Sequence, residues 1–342
     1  MDHEAPTPAA DSQCRHVVVA THGHCFDGLC SAVMFTRLLR HLSGGTPLRF
    51  TYRAVGYGPG QDGVPPEALS GDDNAILDFR FSSSPKLTWY FDHHISAFAT
   101  PGDRALFDER VAAETSRGQA FRRSFHEATY GSCTKLIADV GQACFDLDSA
   151  PMEGLVRWAD VIDSASFPSA EMAVARREPE LALMTVIEHL GDDAFLAEYV
   201  PRLLAEPLTE VATSSAVTEA FGPLKVTHEA FVEKVRKHAV VHGPVVFVDL
   251  SAEIVEVAGK FITYALYPAS AYSVTLTRSR SKCKISVGYN PWSRVPRVHD
   301  IAALCKHYGG GGHPVVGAVA LPVSDAEGAR RVALELVNEL AK

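Results

Sequence analysis

The chain has 342 residues, 46 % hydrophobic and 21 % charged, which suits a globular protein of two ordinary domains rather than a disordered one. Its net charge of −9 disfavours a surface that coats long nucleic acid, because such surfaces draw their affinity from clustered Lys and Arg. No apolar run approaches the ~20 residues of a membrane span, no secretory signal is evident, and seven scattered cysteines without a CxxC pair predict a cytoplasmic protein lacking disulfides or structural zinc.

Residues 1–14, rich in Ala, Pro and Asp, read as a frayed tail. From His16 onward, short apolar runs alternate with helical stretches, the pattern of a parallel α/β sheet. His16–Ala20 reads as a buried strand, and Leu29–Arg40 as a helix that is apolar nearly all round. Leu48–Ala54, Asn74–Phe79 and Leu87–Phe91 are further strands, while Ser132–Val140 and Met152–Ile162 read as helices. Residues 178–239 look helical throughout, broken at Pro207 and at Gly222-Pro223. Strands return at Val245–Leu250, Ser273–Thr277 and Lys284–Val287. A helix at Ile301–Tyr308, a glycine run, a strand at Ala318–Leu321 and a helix from Ala326 complete the chain. The expected fold class is α/β with two lobes: a parallel-sheet domain over 15–205, a helical connector over 206–243, and a smaller α/β domain over 244–342.

Four segments of the first lobe carry chemistry, each expected to follow a strand: Thr21-His22-Gly23-His24-Cys25-Phe26-Asp27-Gly28, then Asp78, then Asp92-His93-His94, then Trp158-Ala159-Asp160-Val161-Ile162-Asp163. In a doubly wound sheet the carboxyl ends of neighbouring strands converge, so carboxylates and imidazoles placed there can surround divalent ions. A single strand-end Asp is as readily a helix cap. The doubled histidine is more specific, since adjacent imidazoles after an aromatic strand add little packing.

Asp92-His93-His94, preceded by Asp78 and by a His…Asp-Gly segment, resembles the DHH phosphoesterase superfamily. Gly309-Gly310-Gly311-Gly312-His313 resembles the signature of its C-terminal DHH-associated domain. Tyr130-Gly131-Ser132-Cys133-Thr134 is similar to the family's segment between its third and fourth metal motifs. The motif order matches over roughly residues 16 to 322, and the layout is most like oligoribonuclease and cyclic-dinucleotide phosphodiesterase members.

The resemblance implies two divalent ions, manganese first, activating a water that attacks a phosphorus ester. It places His22, Asp27, Asp78 and His93 among the ligands, with Asp78 bridging and catalytic. It places His94 behind them as a catalytic residue touching substrate phosphate. Asp163 is the expected fourth-motif ligand, because Asp163-Ser164-Ala165-Ser166-Phe167 resembles the family's Asp-Thr-Gly-x-Phe; Asp160 is the alternative. The first motif departs from the family's His-x-Asp-x-Asp-Gly. Cys25 stands where the first Asp belongs, and His22 is displaced by one residue. Cys25 as a ligand would favour cobalt, iron or zinc; equally, Cys25 merely packs, or His24 serves that ion.

In the second lobe the resemblance implies a substrate grip of Gly310, Gly311, Gly312 and His313. Arg278 and Arg280, with Lys282 and Lys284 on an expected hairpin, form a local basic patch suited to a phosphate clamp. Trp292 is a stacking surface for a base or a partly buried anchor. The implied activity is hydrolysis of phosphodiester or phosphomonoester bonds in short oligonucleotides or small nucleotides. Exopolyphosphatase-like hydrolysis and an impaired nucleotide-binding sensor are the alternatives. No membrane and no long duplex is expected as a partner, and a homodimer is left open.

Overall fold

The computed structural model describes residues 14–57, 63–255, 259 and 261–342. The expected tail therefore lies outside the described residues apart from Cys14. The chain divides into two compact units, one of residues 1–166 and 179–221, the other of residues 167–178 and 222–342.

The first unit opens with β1 (Arg15–His22), α1 (Phe26–Leu42), β2 (Leu48–Val55), β3 (Asp73–Leu77) and β4 (Trp89–Asp92). It continues with α2 (Pro101–Ser116), β5 (Ser124–His126), α3 (Cys133–Phe145) and α4 (Glu153–Asp163). After α5 (Ala170–Ala175), which belongs to the second unit, come α6 (Pro179–Leu190), α7 (Asp193–Ala205) and α8 (Leu208–Ala212). The five strands are all parallel, in the order β2-β1-β3-β4-β5. In this order the direction of winding reverses between β1 and β3, and such a switch point is where open α/β sheets bind ligands.

Burial follows the residue pattern. Val17, Val18, Val19 and Ala20 of β1 are fully buried, as strands covered on both faces must be. Thirteen of the seventeen residues of α1 are buried, because this helix packs on the sheet and against α3, α4 and α7. The α2 helix was not expected from hydropathy, since only Phe107 is buried along it. It is fixed instead by its start: Thr100 and Asp103 form a reciprocal capping box, with Pro101 at the first helical position.

α9 (Ser215–His238) runs across the boundary between the units. The expected break at Gly222-Pro223 does not occur. Pro223 forfeits one helical hydrogen bond, but the turns on either side are anchored independently by the buried Val217 and Val235. The expected break at Pro207 is present, between α7 and α8.

The second unit holds β6 (Ala239–His242), β7 (Val245–Ile254), α10 (Ile262–Leu266), β8 (Tyr272–Arg278) and β9 (Lys282–Tyr289). It ends with α11 (Ile301–His307), β10 (Gly311–His313), β11 (Val316–Pro322) and α12 (Ala326–Leu340). The sheet order is β10-β11-β9-β8-β7-β6, antiparallel except between β7 and β8. Ala329, Ala333, Leu336, Val337 and Leu340 form the buried stripe of α12 and join Val274, Leu276, Ile285 and Val319 of the sheet in one core. Among the described residues no helix is long and apolar enough to cross a membrane.

Candidate metal centre

The switch point gathers the first three segments. Gly28 sits in the first turn of α1, and a Cβ there would lie 2.0 Å from the carbonyl oxygen of His22. Only glycine lets the helix start so close to the end of β1, which holds Asp27 beside the sheet. Asp27 is fully buried, and its carboxylate accepts the backbone N–H groups of Cys133 at 2.7 Å and Thr134 at 3.0 Å. These are the first two residues of α3, whose unpaired N–H groups and positive end suit a carboxylate. The Ser132-Cys133-Thr134 segment thus serves the site by orienting a ligand-type side chain.

Asp78 follows β3 with a φ of +53°, a left-handed conformation that Asp and Asn enter more readily than other side-chain-bearing residues. Its amide donates to the Phe91 carbonyl at the end of β4, at 3.0 Å. One carboxylate oxygen, Oδ2, lies 3.7 Å from His22 Nδ1 and 3.7 Å from Cys25 Sγ. The other, Oδ1, lies 3.5 Å from His93 Nε2 and 3.7 Å from His94 Nδ1. Asp163 Oδ2 is 3.2 Å from His93 Nε2, and Asp27 Oδ2 is 3.8 Å from it.

The Asp-His-His segment is locked from behind. Asp92, fully buried, accepts from the amide of His93 at 2.9 Å and from His94 Nδ1 at 2.7 Å, while its second oxygen accepts from the Tyr90 hydroxyl. His93 donates Nδ1–H to the Tyr130 carbonyl at 3.0 Å, which fixes its tautomer and leaves Nε2 facing the carboxylates. His126, from β5, donates to the His94 carbonyl at 2.8 Å. Asp92, Tyr130 and His126 were given no role from sequence. The pairing of Asp92 with His126 across β4 and β5 places the second, but one sequence carries no signal of it.

The fourth segment is not strand-borne: it is the last part of α4, and Asp163 is its final residue. Asp163 joins the cluster. Asp160 does not; its Oδ1 accepts from Ser132 Oγ at 3.4 Å. His24 is exposed, with its amide bonded to the Gly191 carbonyl, and belongs to none of the ligand-type groups among the described residues. Those groups are His22, Cys25 and Asp78; Asp78, His93 and His94; and Asp27, His93 and Asp163.

Electrostatics fit a cation. Burial and then Asp78 and Asp163 push the Asp27 carboxyl well above the usual range. For Asp78 burial acts upward too, but His22 and His93 outweigh it and hold the group at about 2. Burial would lower His93, but Asp163, Asp78 and Asp27 raise it to about 11. Asp78 Oδ1 and His93 Nε2 are buried and without a hydrogen-bond partner among the described residues, although they face each other. Buried polar atoms normally have partners. Two good ligand atoms converging unpaired among carboxylates fit a divalent ion, whose neighbouring donors stand ~3 Å apart.

A pH prediction follows for the ion-free protein. Stability that charged His93 supplies is complete below a pH of ~6.5 and is lost as pH rises toward the folded value of about 11. The raised Asp27 acts in the same direction, whereas Asp78 supplies stability above ~3.9 that is lost as pH falls toward about 2. In chelator, the urea midpoint is expected to fall from mildly acid to alkaline pH. A midpoint that stays level or rises would contradict this electrostatic assignment.

In the second unit, β10 and β11 form around the glycine run. Gly309 and Gly310 use their N–H groups to close the end of α11, donating to Lys306 at 3.1 Å and Cys305 at 2.9 Å. They are therefore spent on the fold, while Gly311, Gly312 and His313 lie exposed on β10. The basic set does sit on a hairpin, β8–β9, but is split between its faces. Lys282 and Lys284 are exposed, whereas Arg278 pairs with buried Cys283 and donates to the Ala252 carbonyl at 3.0 Å. Arg280 is exposed at the hairpin tip. Trp292 is the partly buried anchor of its two readings: its Nε1–H donates to the Phe167 carbonyl at 2.8 Å, and its ring packs edge-on against Phe261.

Among solved structures, a pGpG-specific phosphodiesterase from Vibrio cholerae aligns over 95 % of this chain and 99 % of its own, at 18 % identity and a TM-score of 0.64. The two chains share one fold, in keeping with the resemblance to DHH phosphoesterases read from the motifs. An exopolyphosphatase-related protein from Bacteroides fragilis aligns at 13 % identity with a TM-score of 0.47, covering 96 % of this chain and 93 % of its own. No protein-family model and no curated protein sequence matches the chain. In this fold the β1/β3 switch point carries the cluster described above.

Proposed function

We propose that the chain is a divalent-metal-dependent phosphoesterase that hydrolyses phosphodiester or phosphomonoester bonds in short oligonucleotides or small nucleotides. The observation that carries this reading is a pair of buried atoms with no hydrogen-bond partner among the described residues, Asp78 Oδ1 and His93 Nε2, converging among Asp27 and Asp163. The fold shared with a phosphodiesterase supports it.

Asp27, His93 and Asp163 would hold one ion and His22 the other, with Asp78 shared between them. Bound there, divalent ions lower the pKa of a water and offset charge that builds on phosphoryl oxygens. The protein's own part is to place and charge the groups around the ester. Asp92 fixes the His94 ring through Nδ1 and raises its pKa against the effect of burial. Protonation of His94 is thereby favoured, and in that form its Nε2–H would be a charge-assisted donor to a phosphate oxygen. Gly311, Gly312 and His313 on β10, and the cations Arg278 and Arg280, are the proposed substrate grip in the second unit. In a chain of net charge −9, a local basic set suits a short anion rather than a long polymer.

The test is a substrate panel with stripped protein refilled with manganese, cobalt or zinc. It holds a dinucleotide, a tetranucleotide, cyclic di-AMP, 3′-phosphoadenosine 5′-phosphate and polyphosphate. Metal-dependent turnover confined to the nucleotide members is expected. Turnover of polyphosphate alone would overturn the substrate class, and nucleotide binding without turnover in any metal would make the protein a sensor.

A further inference from the structure

The ligand-type groups at the switch point are of two chemical kinds. Asp27, His93 and Asp163 offer carboxylate and imidazole donors only, the set that hard ions such as manganese and magnesium prefer. His22, Cys25 and Asp78 offer nitrogen, sulfur and oxygen, all within 4.8 Å of one another. Asp78 is 1 % exposed and presents a different oxygen to each side: Oδ2 to His22 and Cys25, Oδ1 to His93 and His94.

We infer that Cys25 is a thiolate ligand and that the two subsites select different ions, a thiophilic one at His22–Cys25–Asp78 and a hard one at Asp27–His93–Asp163. The distances fit. Around a tetrahedral ion with metal–sulfur bonds of ~2.3 Å and metal–nitrogen or metal–oxygen bonds of ~2.1 Å, neighbouring donors stand ~3.4–3.6 Å apart. Cys25 Sγ and His22 Nδ1 each lie 3.7 Å from Asp78 Oδ2.

Local structure delivers the thiol there. His24 takes a φ of +55°, turning the chain between the end of β1 and α1, and its amide is pinned to the Gly191 carbonyl. Cys25 is then the N-cap of α1 in extended conformation, and its thiol points at Asp78 rather than into the core. Of the other first-unit cysteines, Cys30 and Cys133 are fully buried, as packing cysteines are. Binding breaks the S–H bond, forms a sulfur–metal bond and releases the proton to solvent, with no change of oxidation state.

The inference rests on the metal centre proposed above but not on its turnover. The full chain, stripped of metal, is titrated with cobalt(II) alone. A thiolate-to-cobalt charge-transfer band in the near ultraviolet is expected, retained in Cys14→Ser, whose cysteine is exposed, and lost in Cys25→Ser. In Cys25→Asp the band is also lost, and preference moves from cobalt toward manganese by at least ~10-fold. Bound cobalt without the band in the parent protein, or a band that survives in Cys25→Ser, would overturn the assignment. If that variant does not fold, X-ray absorption on the zinc-loaded parent decides: a sulfur scatterer at ~2.3 Å supports it, and a shell of nitrogen and oxygen alone overturns it. The band without hydrolysis would instead defeat the phosphoesterase reading and leave this one standing.

Discussion

Asp78→Asn is expected to lower kcat/KM for the best nucleotide substrate at least ~1,000-fold, about 4 kcal/mol of transition-state stabilisation, with little change in fold. Among the described residues Asp78 is the only carboxylate that belongs to two of the three ligand-type groups, its Oδ2 facing His22 and Cys25 and its Oδ1 facing His93 and His94, so its loss removes charge from both sides of the cluster at once. Asn is the informative replacement because it shares the tolerance of Asp for left-handed backbone at a φ of +53°. Alanine there would add a backbone penalty and confuse a folding defect with a chemical one. Metal content and circular dichroism measured alongside the kinetics separate the two. A loss below ~10-fold would mean that Asp78 does not bridge.

The largest stability effect is expected from Gly28→Ala. Its Cβ would lie 2.0 Å from the His22 oxygen and 3.0 Å from the His22 carbonyl carbon, both backbone atoms at the end of a strand whose residues Val17–Thr21 are buried. Neither side can yield as a flexible side chain would, so α1 must move away from β1. Overpacking of this kind costs about 3 kcal/mol, which lowers the first unfolding transition by roughly 6–12 °C. The same shift would pull Asp27 away from the N–H groups of Cys133 and Thr134. Calorimetry and activity are therefore expected to fall together. A variant of unchanged stability would show that the start of α1 has slack the packing does not reveal.

Much of this was legible from residue order because buried parallel strands announce themselves. Val17-Val18-Val19-Ala20 and Trp89-Tyr90-Phe91 leave no polar face, so the strands and the residues that end them could be located together. Where apolar periodicity is weak, the reading failed. The α2 helix buries one residue, and β5 is only three residues long. Pro223 misled because a proline's local cost was set against no knowledge of the anchoring on either side.

At the site, the residue types were readable but their supports were not. In the sequence Asp92 is only the first residue of the Asp-His-His segment, and nothing there says what it holds. Only the geometry shows that both its oxygens are engaged by Tyr90, His93 and His94, which leaves it to hold the histidines. The choice between Asp160 and Asp163 likewise depends on where α4 ends, and helix ends are the least certain feature of a sequence pattern. Arg278 and the lysines were grouped by proximity in the chain, while the register of β8 with β9 puts Arg278 opposite buried Cys283 and away from the exposed Lys282 and Lys284.

Metal-dependent ester hydrolysis, proposed for the β1/β3 switch point, can be followed as release of mononucleotide from an end-labelled dinucleotide by the full chain, first in chelator and then after manganese is restored. No release is expected in chelator, and multiple turnovers once the ion returns. Release that is indifferent to chelation, or none with ions bound and dinucleotide saturating, would contradict it.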